Sequence, residues 1–338
     1  MKRTLGTFAG AIAVVFLTAC GHVTPISAGS PPPATPFPIA VTAEYATLTA
    51  AAQPAGVTKG SDGSLWFTEY GAGNIGKLSA SATISEYPLQ SSSVKPLSIT
   101  NGPDNNLWFT EFGQPLIGSI STSGPPYTTY ALTSPTATPW GIVTGPDGAL
   151  WVTDPGTNSI WRVTTAGAAT NYPIATPGAD PTSITAGPNG AVWFIESAKD
   201  QIGEILPSAA AGTSPTEYKV TAGAGLGSIV TGPDGALWFT ETTAVKLGRM
   251  LPSGQLASET ALAGMTAPFG LTAGIDGNFY IGDKTASIIV QYNPNNGAMS
   301  SHATLTANAG VDFVGLGPDN EVYFSENAIS KIGQFRYF

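Results

Sequence analysis

Seven acidic residues recur at one position of a repeated phrase: Glu69, Glu111, Asp154, Glu196, Glu241, Asp283 and Glu326. Carboxylates gathered at one level of a fold suit two kinds of chemistry. They can hold a hard divalent cation such as Mg²⁺ or Ca²⁺, which favours oxygen ligands, or they can raise one another's pKa and supply an acid or a base. Glu241, Asp283 and Glu326 are the candidate metal ligands, and Glu326 and Asp312 are the candidate bases. The competing role is structural, with each carboxylate accepting backbone N–H groups of the following loop. The residue types leave both roles open. Histidine, the side chain most often used as a base, occurs only as His22 and His302.

The phrase that carries the acids reads GSDGSLWFTE at Gly60–Glu69, GPDNNLWFTE at Gly102–Glu111, GPDGALWVTD at Gly145–Asp154, GPNGAVWFIE at Gly187–Glu196 and GPDGALWFTE at Gly232–Glu241. Two looser copies follow, GIDGNFYIGD at Gly274–Asp283 and GPDNEVYFSE at Gly317–Glu326. The central aromatics are Trp66, Trp108, Trp151, Trp193, Trp238, Tyr280 and Tyr323, at steps of 42, 43, 42, 45, 42 and 43. A fixed period near 40–45 residues, rich in strand formers, marks a β-propeller blade. Each unit has a short apolar strand, a Gly-Pro-Asp-Gly turn, the LWFTE strand, a third strand with Ile-Gly, and a more polar fourth strand. Pro suits the i+1 position of a turn and Gly tolerates positive φ there. Fourth strands follow the first six units, near Ile84, Thr128, Thr170, Thr216, Ser258 and Ser301, and none follows the seventh. An unpaired copy, Ala43–Leu48, precedes the first. The fold class is therefore all-β: a seven-bladed propeller of four-stranded blades, closed by an N-terminal strand that completes the last blade. The Leu, Trp and Phe of each run should pack between blades, and the turn acids should serve turn chemistry.

Propeller strands alternate in direction, so the face that collects the ends of the second strands also collects the starts of the first ones. Those starts are Ala55, Leu97, Trp140, Thr182, Gly227, Phe269 and Asp312. Trp140 and Phe269 could stack on a ligand or plug the channel, and with Thr182 they form the expected ligand-binding set. Asp312 brings a further carboxylate near Glu326. The partner expected at this acidic face is a small molecule, peptide, glycan or protein.

Residues 1–19 read as an export leader, with Lys2 and Arg3 before an apolar run too short to span a bilayer as a mature helix. The run ends in Leu17-Thr18-Ala19-Cys20, which resembles the lipobox of bacterial lipoproteins. That resemblance implies cleavage before Cys20 and lipidation of its thiol. Cys20 is the only Cys in 338 residues, so it has no partner for an internal disulfide. Residues 20–42 are rich in Pro, Ser and Ala and suit a tether, which leaves 43–338 as the propeller. The expected location is the cell envelope, lipid-anchored to a bacterial membrane and facing periplasm or exterior. Loss of Lys2 and Arg3 with the leader leaves 11 basic residues against 22 acidic ones, which argues against nucleic acid as a partner.

GPDGALWFTE, with Ile75-Gly76-Lys77 or Leu247-Gly248-Arg249 in the third strand and Ser85-Glu86-Tyr87-Pro88-Leu89 in the fourth, resembles the virginiamycin B lyase, or streptogramin lyase, family over all seven repeats. The resemblance implies a seven-bladed propeller. It also implies a carbon–oxygen lyase that opens the macrocycle of type B streptogramins by elimination at the ester, with Mg²⁺. Family lyases place their base in Pro-His-Gly-Ile, just after the Pro that opens a first strand. Here the matching segments read Pro139-Trp140-Gly141-Ile142, Pro268-Phe269-Gly270-Leu271 and Pro54-Ala55-Gly56-Val57, and none of the seven positions is His. The two functional readings are a tethered binding propeller without the family's base, and a lyase using Mg²⁺ and a substituted base.

Overall fold

In the computed structural model, which describes residues 40–91 and 93–337, the repeated phrase folds the same way in every unit, starting from its turn. Asp62 Oδ1 accepts the Ser64 N–H at 3.2 Å and the Trp66 indole N–H at 3.0 Å. Asp104, Asp147 and Asp234 hold Trp108, Trp151 and Trp238 at 2.9, 3.0 and 3.0 Å, and Asn189 holds Trp193 at 3.1 Å. In the last two units Tyr280 and Tyr323 donate their phenol O–H to Asp276 and Asp319 at 2.8 and 2.9 Å. A buried Trp or Tyr needs a partner for its polar atom. The turn acid supplies it, so the turn and the second strand are fastened together within each unit.

The second strand alternates its faces. Trp66 turns to one neighbouring blade, while Leu65 and Phe67 turn to the other. Seven buried clusters result, each spanning one blade boundary. One, for example, joins Trp66 and Ile75 of the first blade to Leu107 and Phe109 of the second. The Leu-Trp-Phe runs thus pack between blades as their spacing indicates. The Ile-Gly of the third strand has a steric cause. Phe194 lies opposite Gly203, and a Cβ on Gly203 would come within 2.1 Å of the Phe194 ring. Phe67, Phe109, Phe239 and Phe324 face Gly76, Gly118, Gly248 and Gly333 in the same way. Where the second strand lacks Phe the glycine is missing too: Val152 faces Trp161, and Ile281 faces Val290.

The sheets are seven, each of four strands. Six are built in sequence order, at 54–88, 95–131, 142–173, 181–219, 226–261 and 268–303. The seventh takes three strands from 311–336 and its outermost strand, Ala40–Ala46, from the N-terminal side. This strand pairs with Lys331–Arg336 from Ala40↔Arg336 to Ala46↔Lys331. The ring therefore closes as the unpaired copy indicates, and the seventh sheet, like the other six, has four strands. The closing strand begins at Ala40, inside the segment whose composition assigns it to the tether, because Val41 is buried against Phe335 and Tyr337. The leader and Cys20 lie outside the described residues.

Candidate functional site

Where a second strand ends, a β-bulge in the adjacent first strand re-aims the residues that follow its opening position. The register shifts between Pro54 and Val57, Pro96 and Ile99, Pro181 and Ile184, and Pro268 and Leu271. Bulges of this kind aim side chains, and here they turn Ala55, Leu97 and Phe269 toward the mouth of the channel. A threonine of the second strand then fixes them. Thr68, Thr110 and Thr240 donate their hydroxyls to the carbonyls of Leu97, Trp140 and Phe269 on the next blade, each at 2.8 Å. Thr110 Oγ1 also accepts the Ser98 N–H of its own blade at 3.1 Å. The same hydroxyl thus stitches two blades and positions the next mouth residue. Thr110→Val will destabilise the domain by about 1–3 kcal/mol, because it leaves two part-buried backbone groups without their partner. It will also make Trp140 more accessible to acrylamide, and denaturant titration and fluorescence quenching check the two effects.

The seven acids do not line the mouth. All are buried, with relative exposures of 0–2%. Their surroundings divide them. Asp154 accepts the Thr138 N–H at 2.7 Å and the Trp161 indole N–H at 2.9 Å. Asp283 accepts four backbone N–H groups, from Thr266, Ala267, Thr285 and Ala286. Burial alone would raise Asp283, but those bonds outweigh it and hold the carboxyl at about 2. These two acids are the structural brackets that the residue pattern allows.

The five glutamates differ. Glu196, Glu241 and Glu326 have no donor for either oxygen, and Glu69 has one bond, from Asn74 at 2.7 Å. Burial pushes Glu69, Glu196 and Glu326 up to about 8, and Glu111 and Glu241 up to about 7. A fourth-strand glutamate adds to the rise in four of these blades: Glu86, Glu217, Glu259 and Glu44, beside Glu69, Glu196, Glu241 and Glu326. Those partners are occupied by other donors, and the bonds hold Glu44, Glu86 and Glu259 below the usual carboxylate range against the burial that would raise them. Glu44, for example, accepts the Thr306 N–H, the Thr306 hydroxyl and Lys331 Nζ at 2.7, 2.6 and 2.7 Å.

The mouth itself is aromatic. A cavity of about 180 Å³ is lined by Ala55, Leu97, Phe269, Asp312 and Phe313 from the first strands and by Trp140 just ahead of one, together with Tyr70, Phe112, Lys284 and Asn327. Trp140, Phe269 and Phe313 also bound a second cavity of about 170 Å³ lower in the channel. They therefore act at once as floor of the upper cavity and plug of the channel. Phe112 meets Trp140 edge-on at 5.4 Å, and Phe269 meets Phe313 edge-on at 6.1 Å. Lys284 Nζ sits 3.4 Å from the centroid of Phe269 and 3.0 Å from Asp312 Oδ1.

The structure brings together Trp140, Phe269 and Asp312 from the sequence-derived set. Thr182 does not line the cavity: it is buried, and its carbonyl accepts the Thr153 hydroxyl. Glu241, Asp283 and Glu326 lie in three different blades. Among the described residues no three His, Cys, Asp or Glu side chains are grouped to hold a metal. At the mouth the donor set does not fit Mg²⁺, since the lining holds one carboxylate, Asp312, and a lysine pairs with it. His302 lies on the outer strand Met299–Ala303, edge-on to Phe335 at 5.0 Å, with its pKa lowered by burial. His22 lies outside the described residues. The residue reading missed Tyr70, Phe112, Lys284 and Asn327. Each is the residue just after a second-strand acid, and their signal was available: the acid hardly varies through the repeats, while the next position runs Tyr, Phe, Pro, Ser, Thr, Lys, Asn.

Comparison with known proteins gives a consistent result. Residues 40–213 and 208–337 match the profile of the Virginiamycin B lyase family. A streptogramin B lyase structure is 29% identical, with a TM-score of 0.81, over 87% of this chain and 96% of that one. Virginiamycin B lyase from Staphylococcus aureus is 29% identical, with a TM-score of 0.80, over 88% of this chain and 99% of that one. A catalytically inactive histidine-to-alanine variant of the S. aureus enzyme, solved with quinupristin, is 28% identical with a TM-score of 0.80 over the same shares. A search of curated proteins finds no match.

Proposed function

Because the chain belongs to the virginiamycin B lyase family, we propose that it is a binding propeller that keeps the family's ring and the mouth of its channel without the family's chemistry. The observation that carries this is the set of residues that open the first strands. The positions read Ala55, Leu97, Trp140, Thr182, Gly227, Phe269 and Asp312, with no histidine among them, and aromatic rings occupy the two mouth positions with the largest side chains. Elimination next to a carbonyl needs a base within hydrogen-bond reach of the proton. Glu326 is buried and His302 lies on an outer strand. Asp312 alone among the sequence-derived candidates reaches the cavity, and it is paired with Lys284. The cavity of about 180 Å³ is also smaller than the roughly 300 Å³ at which pockets begin to enclose drug-sized ligands, so it takes one group of a ligand rather than a whole macrocycle. The ligand class is a small molecule or peptide, and the relative solved with quinupristin supports that breadth. Export and a lipid at Cys20 complete the proposal and would hold the ring at a bacterial membrane. Metabolic labelling with palmitate should be lost in Cys20→Ser.

The test of function is an assay for ring opening of a type B streptogramin by purified protein, with and without Mg²⁺. The expected outcome is no product above the uncatalysed rate. Turnover that survives His302→Ala and vanishes in Asp312→Asn would replace this reading with a lyase using a substituted base.

A further inference from the structure

We propose that the mouth cavity binds an aromatic carboxylate, with the ring against Trp140 and Phe112 and the carboxylate on Lys284. This rests on the binding reading above and names its ligand chemistry. The first support is the sign of the charge at the mouth. The chain as a whole carries −9, yet the side of the mouth formed by the first, second, sixth and seventh blades presents two ammonium groups and one carboxylate. Lys284 lines the cavity, and Lys95 stands at the rim 5.4 Å from the Tyr70 ring centroid. Asp312 answers Lys284, and Lys95 has no ion pair among the described residues. The acids beneath that side are buried: burial keeps Glu69 and Glu326 largely protonated at neutral pH, Glu111 is raised to about 7 and so is only partly ionised, and Asp283 spends its charge on four N–H groups. Across the channel, Asp180 stands at the rim with its carboxylate on the Ser197 hydroxyl at 2.6 Å.

The second support is how Lys284 is held. An ammonium has three donors. Asp312 Oδ1 balances its charge as an ion pair at 3.0 Å, without accepting a hydrogen bond, and the face of Phe269 takes the charge on a second side at 3.4 Å. No acceptor among the described residues takes a hydrogen bond from Lys284 Nζ, which leaves it donors for an acceptor at the cavity, next to the aromatic wall. An incoming carboxylate completes the shell of Lys284 without displacing Asp312, whereas an incoming cation must compete with a lysine already seated on Phe269. The third support is size, since about 180 Å³ admits one ring and its acid. Such a group occurs in a free aryl acid and in the C-terminal aromatic residue of a peptide.

Trp140 reports on occupancy, because it is partly exposed while the other six tryptophans are 0–3% exposed. The experiment titrates the full chain with four probes and reads Trp fluorescence, with Trp140→Phe as the control that removes the signal. The probes are 3-phenylpropionate for a free acid, N-acetylphenylalanine for a peptide C-terminus, N-acetylphenylalaninamide as the neutral match and phenethylamine as the cation. Saturable binding of either acid, at least about tenfold tighter than the amide and the amine, is expected from one charge-assisted bond. Of the two acids, the tighter indicates which source the site takes. Lys284→Met should remove the preference between N-acetylphenylalanine and its amide while leaving the thermal midpoint near wild type, because Lys284 is half-exposed. Equal or tighter binding of the amide or amine overturns the carboxylate assignment and leaves the binding reading standing. No change with any probe overturns both.

Discussion

Gly203→Val will lower the thermal midpoint by about 10 °C or prevent folding. The added Cβ enters within 2.1 Å of the Phe194 ring, and Phe194 is held by the cluster it shares with Trp151, Tyr172 and Val192. Overpacking a tight core costs about 1–3 kcal/mol and sometimes more, and a clash with a fully buried ring belongs at the upper end. At roughly 2–4 °C per kcal/mol for a domain of this size class, the loss is large. The repeat also supplies the rescue. The sixth blade carries Ile281 opposite Val290 where the fourth carries Phe194 opposite Gly203. Phe194→Ile combined with Gly203→Val should therefore recover much of the loss, with an interaction energy of about 1–3 kcal/mol in the double-mutant cycle. Strict additivity would show that the Phe–Gly pairing is not a packing constraint.

Raising the pH from about 5 to about 9 will lower the thermal midpoint steadily, and the sign follows from the five buried glutamates. Unfolded, each ionises near 4.3. Folded, Glu69, Glu196 and Glu326 stand at about 8, and Glu111 and Glu241 at about 7. Their folded values are raised, so between these limits the native state binds more protons than the unfolded one. The stability they contribute is complete below the unfolded value and is lost as pH rises through about 7 to 8. Groups of the opposite kind limit the acid side. Burial would raise Asp62, but Lys77, the Trp66 indole N–H and the Ser64 N–H outweigh it and hold Asp62 below its ordinary value; Asp147, Asp234 and Asp283 are lowered likewise. Their contribution is present above the unfolded aspartate value and is lost as pH falls through the lowered one. The optimum should lie between about pH 4 and 6. Glu326→Gln keeps the shape of the side chain and cannot ionise. It should melt about 2–4 °C above wild type near pH 9 and match it near pH 5. Calorimetry across this range checks both profiles, and a midpoint that is flat or rises from pH 5 to 9 would show that the glutamates are ionised in the fold.

Much of the architecture is legible in the chain because it is written in local patterns that repeat. The spacing of Trp66, Trp108, Trp151 and their successors sets the blade, and the alternation within Leu-Trp-Phe sets which neighbour each side chain meets. The missing fourth strand after Lys331–Arg336 and its stray copy, found in the structure as Ala40–Ala46, set the closure. The absence of histidine from the first-strand positions is equally plain in the residues. The lining of the mouth is legible only in part: Trp140, Phe269 and Asp312 sit where their repeat position indicates, while Tyr70, Phe112, Lys284 and Asn327 do not stand out beside the acids that precede them.

The tertiary structure decided the rest, for a physical reason common to all of it. Which residue at the end of a strand faces solvent depends on the bulge in the partner strand and on the blade alongside, so the recurring acids went inward and their successors outward. Whether a carboxyl is charged depends on what desolvates it and what donates to it, so Asp283 and Glu326, equivalent in the repeat, hold opposite protonation states at neutral pH. The pairing of Lys284 with Asp312 joins two blades across a boundary that no single repeat contains. The repeat pattern alone therefore determined a closed ring with a mouth, and only packing between blades made that mouth aromatic and locally basic rather than acidic.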